Sequence, residues 1–420
     1  MSQINSMKLI PALVLAAFSG AANASGFQLL EQNASGISSA YAGSAAVAEN
    51  ASTIYFNPAG MTQLQTHEVS AGVAAVGPTF KFHNQGSSVG AFATAGEGGN
   101  AGGWSAIPNG YVSWALNKDV YVGVGFSAPF GLKTEYDKPW LGAAQATMFE
   151  IKTYNINPSI AYRVNDKVSL GAGLNWQRVE ATYERQASIG AGAATPIKLG
   201  LDDDAWGWNV GALFTLSPST KVGVSYRSTI QYHTEGRLDV ANGGPSSADA
   251  KADLKLPDTF IMSVTQKLSD RWEMLGDVSW TGWSSIPKVD IMNVTTGSST
   301  PVQTLETDFR DTWRVALGGN YKYNDAWKLK FGMAYDQTPV KRPENRLVSL
   351  PDNDRVWFSF GTQWVVDKAS RLDLGLTYIV IKDSKIDNDQ GTVAAPLRGR
   401  VTGEYTGNIW LLGAQYSMSF

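Results

Sequence analysis

"WLLGAQYSMSF", residues 410–420, ends the chain in a two-residue rhythm. Trp410, Leu412, Ala414, Tyr416, Met418 and Phe420 share one parity; Leu411, Gly413, Gln415, Ser417 and Ser419 share the other. Side chains of a strand point alternately to its two faces, so this stretch presents one large apolar face and one small or polar face. A strand that meets lipid outside and a polar lumen inside needs that pattern.

Working back from the C-terminus, tight polar turns recur: Asp367-Lys368-Ala369-Ser370, Asn324-Asp325, Ser269-Asp270-Arg271, Ser217-Pro218-Ser219-Thr220, Asn165-Asp166-Lys167 and Asn117-Lys118-Asp119. These are hairpin connections by residue type. Between them lie longer stretches rich in Gly, Ser and Asn, near 83–107, 131–146, 188–203, 240–250, 293–302, 340–352 and 385–397. Short turns on one side and long loops on the other suit an outer-membrane barrel. Six turns and seven loops make thirteen connections and predict fourteen antiparallel strands with both termini on the periplasmic side. The expected fold class is therefore all-β, a transmembrane antiparallel β-barrel.

Composition agrees. Aromatics make up 11% of the 420 residues, Cys is absent, and charged residues are 17%, against roughly 25% in soluble domains. The net charge of -3 leaves no basic footprint for nucleic acid. Lys8, the apolar run Leu9–Phe18 and the small pair Ala22 and Ala24 read as an export signal over residues 1–24, with Met1 or Met7 as the start. Beyond it no window holds the roughly 18 apolar residues of a membrane helix.

Residues 25–66 precede the first strand and are mostly small, closing on the rigid turn Asn57-Pro58-Ala59. Fourteen strands enclose a lumen too wide for wall side chains to fill. Small residues with some polar ones suit a plug inside that lumen, ahead of a barrel over 67–420. The same composition also fits a periplasmic tail.

The strand over 168–187 carries the most chemistry. Leu170, Leu174 and Trp176 face one way; Ser169, Asn175 and Gln177 face the other. Roughly ten residues cross the bilayer, and beyond Trp176 the pattern inverts. Arg178, Glu180 and Glu184 take the outward parity, while Val179, Ala181, Tyr183 and then Arg185 take the inward one. An apolar inner wall ending in a cation suits an apolar molecule with an anionic head. A register slip at a bulge gives the other reading, with Arg185 outward as a solvated charge. In the strand near 119–128, Pro129 marks either a strand end or a local break in the wall.

His67, His83 and His233 are widely spaced, and no metal spacing, nucleophile elbow or phosphate loop is present. No cofactor and no catalytic residue is expected. A lipid hydrolase and a general aqueous porin remain as readings from other classes.

The block "SGFQLLEQNASGISSAYAGSAAVAENASTIYFNPAG", residues 25–60, resembles the FadL family of outer-membrane transporters for long-chain fatty acids and other hydrophobic compounds. "LPDTFIMSVTQKLSDRW", "WTGW", "FRDTWRVALG" and "VSLPDNDRVWFSFG" resemble it too. The resemblance implies a fourteen-stranded barrel plugged by an N-terminal hatch, acting as a monomer among outer-membrane lipid and lipopolysaccharide. The chain's terminal Phe likewise resembles the signature read by the outer-membrane assembly machinery.

By the same resemblance, the hatch motif is Asn57-Pro58-Ala59 and Phe27 is the aromatic near the hatch start. The lateral exit falls at a third-strand kink, Ala128-Pro129-Phe130-Gly131, and Arg185 matches the carboxylate-binding Arg. A lysine contact of the family aligns near Thr304 and Leu305, where this chain has no Lys. Passive uptake of long-chain fatty acids is the first expectation, and of small aromatic hydrocarbons of the toluene type the second.

Overall fold

The computed structural model describes residues 26–64, 66–188, 194–295, 299–391 and 398–420. The export-signal reading of residues 1–24 lies outside them. One antiparallel sheet of nineteen strand segments closes on itself. Five of those segments continue a strand already begun: Gly131–Glu135 after Val120–Ser127, Ile230–Val240 after Thr220–Arg227, Thr259–Lys267 after Ala248–Leu256, Lys288–Asn293 after Trp272–Thr281, and Thr312–Lys322 after Gln303–Glu306. The barrel therefore has fourteen strands, with six turns and seven loops alternating in the predicted order; the loops near 188–203 and 131–146 are shorter than the sequence predicts, because Ala194–Ser217 and Gly131–Glu135 are strand. Closure pairs the first strand with the last, from Glu68 opposite Ser419 to Asn84 opposite Gly403. Closure leaves the first and last strands no free edge to lipid, where no water could satisfy their backbone.

The two faces of the wall are chemically opposite. Leu170, Leu174, Trp206, Trp208, Phe358 and Trp410 are exposed on the outside. Asn155, Asn175, Gln177, Asn209, Gln363 and Gln415 are buried inside. Among the described residues no helix is long and apolar enough to cross a membrane.

Residues 26–64 form short helical turns, among them Ala34–Ile37, Thr53–Phe56 and Pro58–Gln63. They bond to strands around the whole ring. The Ala34 N–H donates to Gln415 Oε1 at 3.1 Å, Ala45 N–H to Ser263 Oγ at 3.0 Å, and Thr62 Oγ1 to Ser169 Oγ at 2.7 Å. Glu49 pairs with Lys330, which also meets Asp373 at 3.1 Å.

Small wall residues make this contact possible. A Cβ on Gly171 would lie 2.3 Å from Ala59 N, and one on Gly211 would lie 2.1 Å from Asn57 Oδ1. Asn57 Nδ2 donates to the carbonyls of Ala45 at 2.7 Å and Ala212 at 3.0 Å, while its Oδ1 accepts from Ala59 N–H at 3.1 Å. The Asn-Pro-Ala turn is thus anchored through the Asn side chain, with Pro58 opening the following helical turn.

Candidate functional site

Beside the third strand the wall ladder is interrupted. The second strand, Ser105–Ala115, pairs with the third only from Gly110 opposite Phe126 to Ala115 opposite Tyr121. The fourth strand, Met148–Asn165, follows the third further, with Ser127 opposite Asn155 and then Gly131 opposite Lys152. Ala128, Pro129 and Phe130 thus stand against only Thr153 and Tyr154, which is a bulge. Pro129 has no N–H to give a ladder and holds Ala128 extended. On the fourth-strand side the bulge is kept in place by Thr153, whose hydroxyl accepts from Phe130 N–H at 2.9 Å.

On the other side the second strand no longer pairs with the third, and the N-terminal segment bonds there instead. Leu29 N–H donates to the Pro129 carbonyl at 2.8 Å, and Gly131 N–H donates to the Phe27 carbonyl at 3.0 Å. Gln32 clasps Ala128 with both ends of its amide: Nε2 donates to the carbonyl at 2.8 Å, and Oε1 accepts from the N–H at 3.1 Å.

A cavity of about 290 Å³ lies behind this break. Phe27, Ala128, Phe130 and Gly131 line it, with Ile107 and Pro108 from the half of the second strand that pairs with the first strand but not with the third. Phe27 packs edge-on to Trp283 at 4.8 Å and to Phe130 at 6.0 Å, and Trp283 meets Phe309 at 5.9 Å. Edge-to-face rings are the favoured aromatic geometry. The same cavity carries charge on its inner side, from Glu31, Asp277, Arg227, Arg314 and Arg355. The sequence reading had not singled out any of these five.

Asn57, Pro58 and Ala59 do not line the cavity; they sit against the wall at Gly171 and Gly211. Nor do Val179, Ala181, Tyr183 and Arg185. The fifth strand, Val168–Ser188, keeps an unbroken register with the sixth, Ala194–Ser217, so no slip turns Arg185 outward. Val179 is fully buried and Tyr183 nearly so.

Arg185 Nε–H donates to Gln303 Oε1 at 3.2 Å, across to the tenth strand, and Gln303 Nε2 donates to Tyr183 Oη at 3.4 Å. Beside them Arg398 Nη2 donates to the Val302 carbonyl at 3.3 Å. Among the described residues neither arginine has a carboxylate within ion-pair distance. Two cations fixed on the consecutive residues Val302 and Gln303 therefore lack a counter-charge. Arg398 comes from the final loop, and nothing in its local sequence marks it. The three histidines stand apart: His67 stacks on Trp114 at 3.9 Å, His233 pairs with Asp253, and His83 faces Glu97.

Comparison with known proteins supplies the family. The model for outer membrane protein transport proteins, described as OMPP1/FadL/TodX, matches residues 15–420. The chain belongs to the FadL family.

Its relatives span the full barrel. The long-chain fatty acid transport protein of Escherichia coli K12 is 26% identical, with 97% of each chain covered. A crystal structure of a Pseudomonas aeruginosa FadL homologue superposes with a TM-score of 0.86 at 22% identity, covering 94% of this chain and 100% of that one. That of the Pseudomonas putida toluene transporter TodX gives 0.70 at 16% identity, covering 92% and 98%. This FadL-family barrel thus belongs to the outer membrane of a Gram-negative cell and to a family that transports hydrophobic compounds.

Proposed function

We propose that this barrel takes up long-chain fatty acids passively and releases them sideways into the outer membrane. The observation that carries the reading is the apolar cavity opening on an unpaired stretch of wall. A fatty acid crossing an aqueous periplasm exposes its chain at about 0.8 kcal/mol per CH₂; passage through the wall into lipid avoids that cost. Residues 25–66 act as the hatch, anchored at Asn57, Pro58 and Ala59, and the segment around Phe27 is the gate at Ala128 to Gly131. Val179, Ala181 and Tyr183 form an apolar approach, and Arg185 with Arg398 receives the anionic head. Lumen and gap are complete within one chain, so a monomer embedded in outer-membrane lipid and lipopolysaccharide suffices.

The rings of Phe27 and Phe130 on the cavity wall, backed by Trp283, favour a second reading, uptake of small aromatic hydrocarbons. The two separate in a host lacking its own transporter and supplied with this gene. Growth on oleate supports the first reading; growth on toluene without growth on oleate overturns it. Turnover of substrate in the medium, with no uptake, would replace transport by an enzyme.

A further inference from the structure

Two buried polar atoms on the inner side of the cavity have no partner among the described residues: Glu31 Oε2 and Arg314 Nε. Both residues are about 5% exposed and both line the cavity. Arg314 is otherwise held by two contacts, and Glu31 by the bonds of its chain neighbours. Arg314 Nη2 donates to the Ala40 carbonyl at 2.6 Å, and its guanidinium lies 4.9 Å over the Trp357 ring. Glu31 sits between Leu29, bonded to Pro129, and Gln32, bonded to Ala128. A buried donor and a buried acceptor left open at one cavity are costly unless something completes them.

We infer that Glu31 and Arg314 form an inner station for the carboxyl head of an acyl chain, next to the wall gap and separate from Arg185. The inference rests on the fatty-acid reading above. The Arg314 Nε–H donates to one oxygen of the acyl carboxylate. The protonated Glu31 carboxyl donates its O–H to the other, so a single proton is shared between two carboxyl groups beside one guanidinium. No covalent bond is made or broken.

The groups facing Glu31 are Arg355 and Arg314, which favour its ionised form, and Asp336, which opposes it; Tyr41 and Tyr55 lie nearby. Burial dominates and pushes Glu31 up to about 7. Near neutral pH the carboxyl is therefore half protonated before the ligand arrives. Above that value, binding has to draw one proton from solution.

The test is equilibrium binding of radiolabelled dodecanoate to the purified full chain from about pH 6 to 8.5, where the free acid stays ionised. An Arg185→Gln background silences the outer contact. Affinity should fall up to about tenfold per pH unit above pH 7, the slope of one linked proton. Glu31→Gln, nearly isosteric, should flatten that slope while keeping binding, because the Gln N–H still donates. Arg314→Gln should weaken binding about tenfold or more, with heat-modifiable mobility reporting a folded barrel. A slope that survives Glu31→Gln, or residual binding unchanged by Arg314→Gln, overturns the station. So does a complete loss of binding on Arg185→Gln alone. A chain with native Arg185 that binds toluene but no acyl carboxylate overturns the fatty-acid reading itself.

Discussion

Leu29 N–H donates to the Pro129 carbonyl at 2.8 Å, so the break in the barrel wall is covered from inside by the chain's own N-terminal segment. A molecule that leaves through the wall has to displace that segment or slip beneath it. The latch consists of a few backbone bonds plus one side chain, Gln32, rather than a full ladder.

Gln32→Leu should loosen this latch. The substitution keeps the volume but leaves the Ala128 N–H and carbonyl without their amide partner. Loss of a buried partner costs about 1–3 kcal/mol. Hydrogen exchange at the Leu29 and Gly131 amides should accelerate about tenfold or more, while exchange in the wall between the strands Trp327–Asp336 and Arg355–Val365 stays unchanged. Equal protection in both proteins would show that Gln32 does not hold the segment.

Arg185→Gln should weaken binding of a long-chain fatty acid about tenfold, since a charge-assisted bond contributes roughly 1.5–3 kcal/mol. Binding of toluene should not change. Arg398→Gln should behave in the same way if both cations meet the same head. Parallel losses for the acid and the hydrocarbon would make the pair structural.

Gly211→Ala places a methyl group where Asn57 Oδ1 now stands, 2.1 Å away. The Asn-Pro-Ala turn must then move, breaking its bonds to Ala45 and Ala212. The barrel itself should fold, because the wall ladders do not involve that turn. Limited proteolysis should cut the N-terminal segment of the variant and spare it in the parent chain. A protected segment in folded Gly211→Ala would show that the turn has room to yield.

Glu31 gives the stability a pH dependence of definite sign. Burial raises its carboxyl from 4.5 to about 7 in the fold. Its favourable contribution is complete below about pH 4.5 and is lost as pH rises through about 7. The loss amounts to about 3 kcal/mol at most. The urea midpoint in lipid vesicles should therefore fall between pH 5 and pH 8, and Glu31→Gln should remove most of that fall. A midpoint that rises over this range in the parent chain contradicts the assignment.

Much of the barrel was legible because its signals are local. Asn165-Asp166-Lys167 is a turn by residue type alone, and the parity of Leu170 and Leu174 against Asn175 and Gln177 states which face meets lipid. Parity left Arg185 inward or, after a slip, outward; the unbroken register between Val168 and Ser188 leaves the inward reading. The cavity was not legible, because its walls meet only in three dimensions. Phe27 faces Trp283 across 256 positions of sequence, and Leu29 finds Pro129 only because the second strand stops pairing at Gly110. Arg314, next to the outward-facing Trp313, was readable as an inward cation by the same parity that exposed Arg185. Glu31 had no such mark, since the segment that carries it has no period.

The most direct test closes the gap. Replacing Pro129 by Thr restores an N–H, and deleting Ala128 leaves two residues against Thr153 and Tyr154, so that the third strand can run on without the bulge. Uptake of labelled oleate by cells should then fall at least tenfold, with heat-modifiable mobility showing a folded barrel and no ion-conducting pore. Normal oleate uptake by that folded, gap-closed barrel would contradict lateral release and send the substrate through the hatch instead.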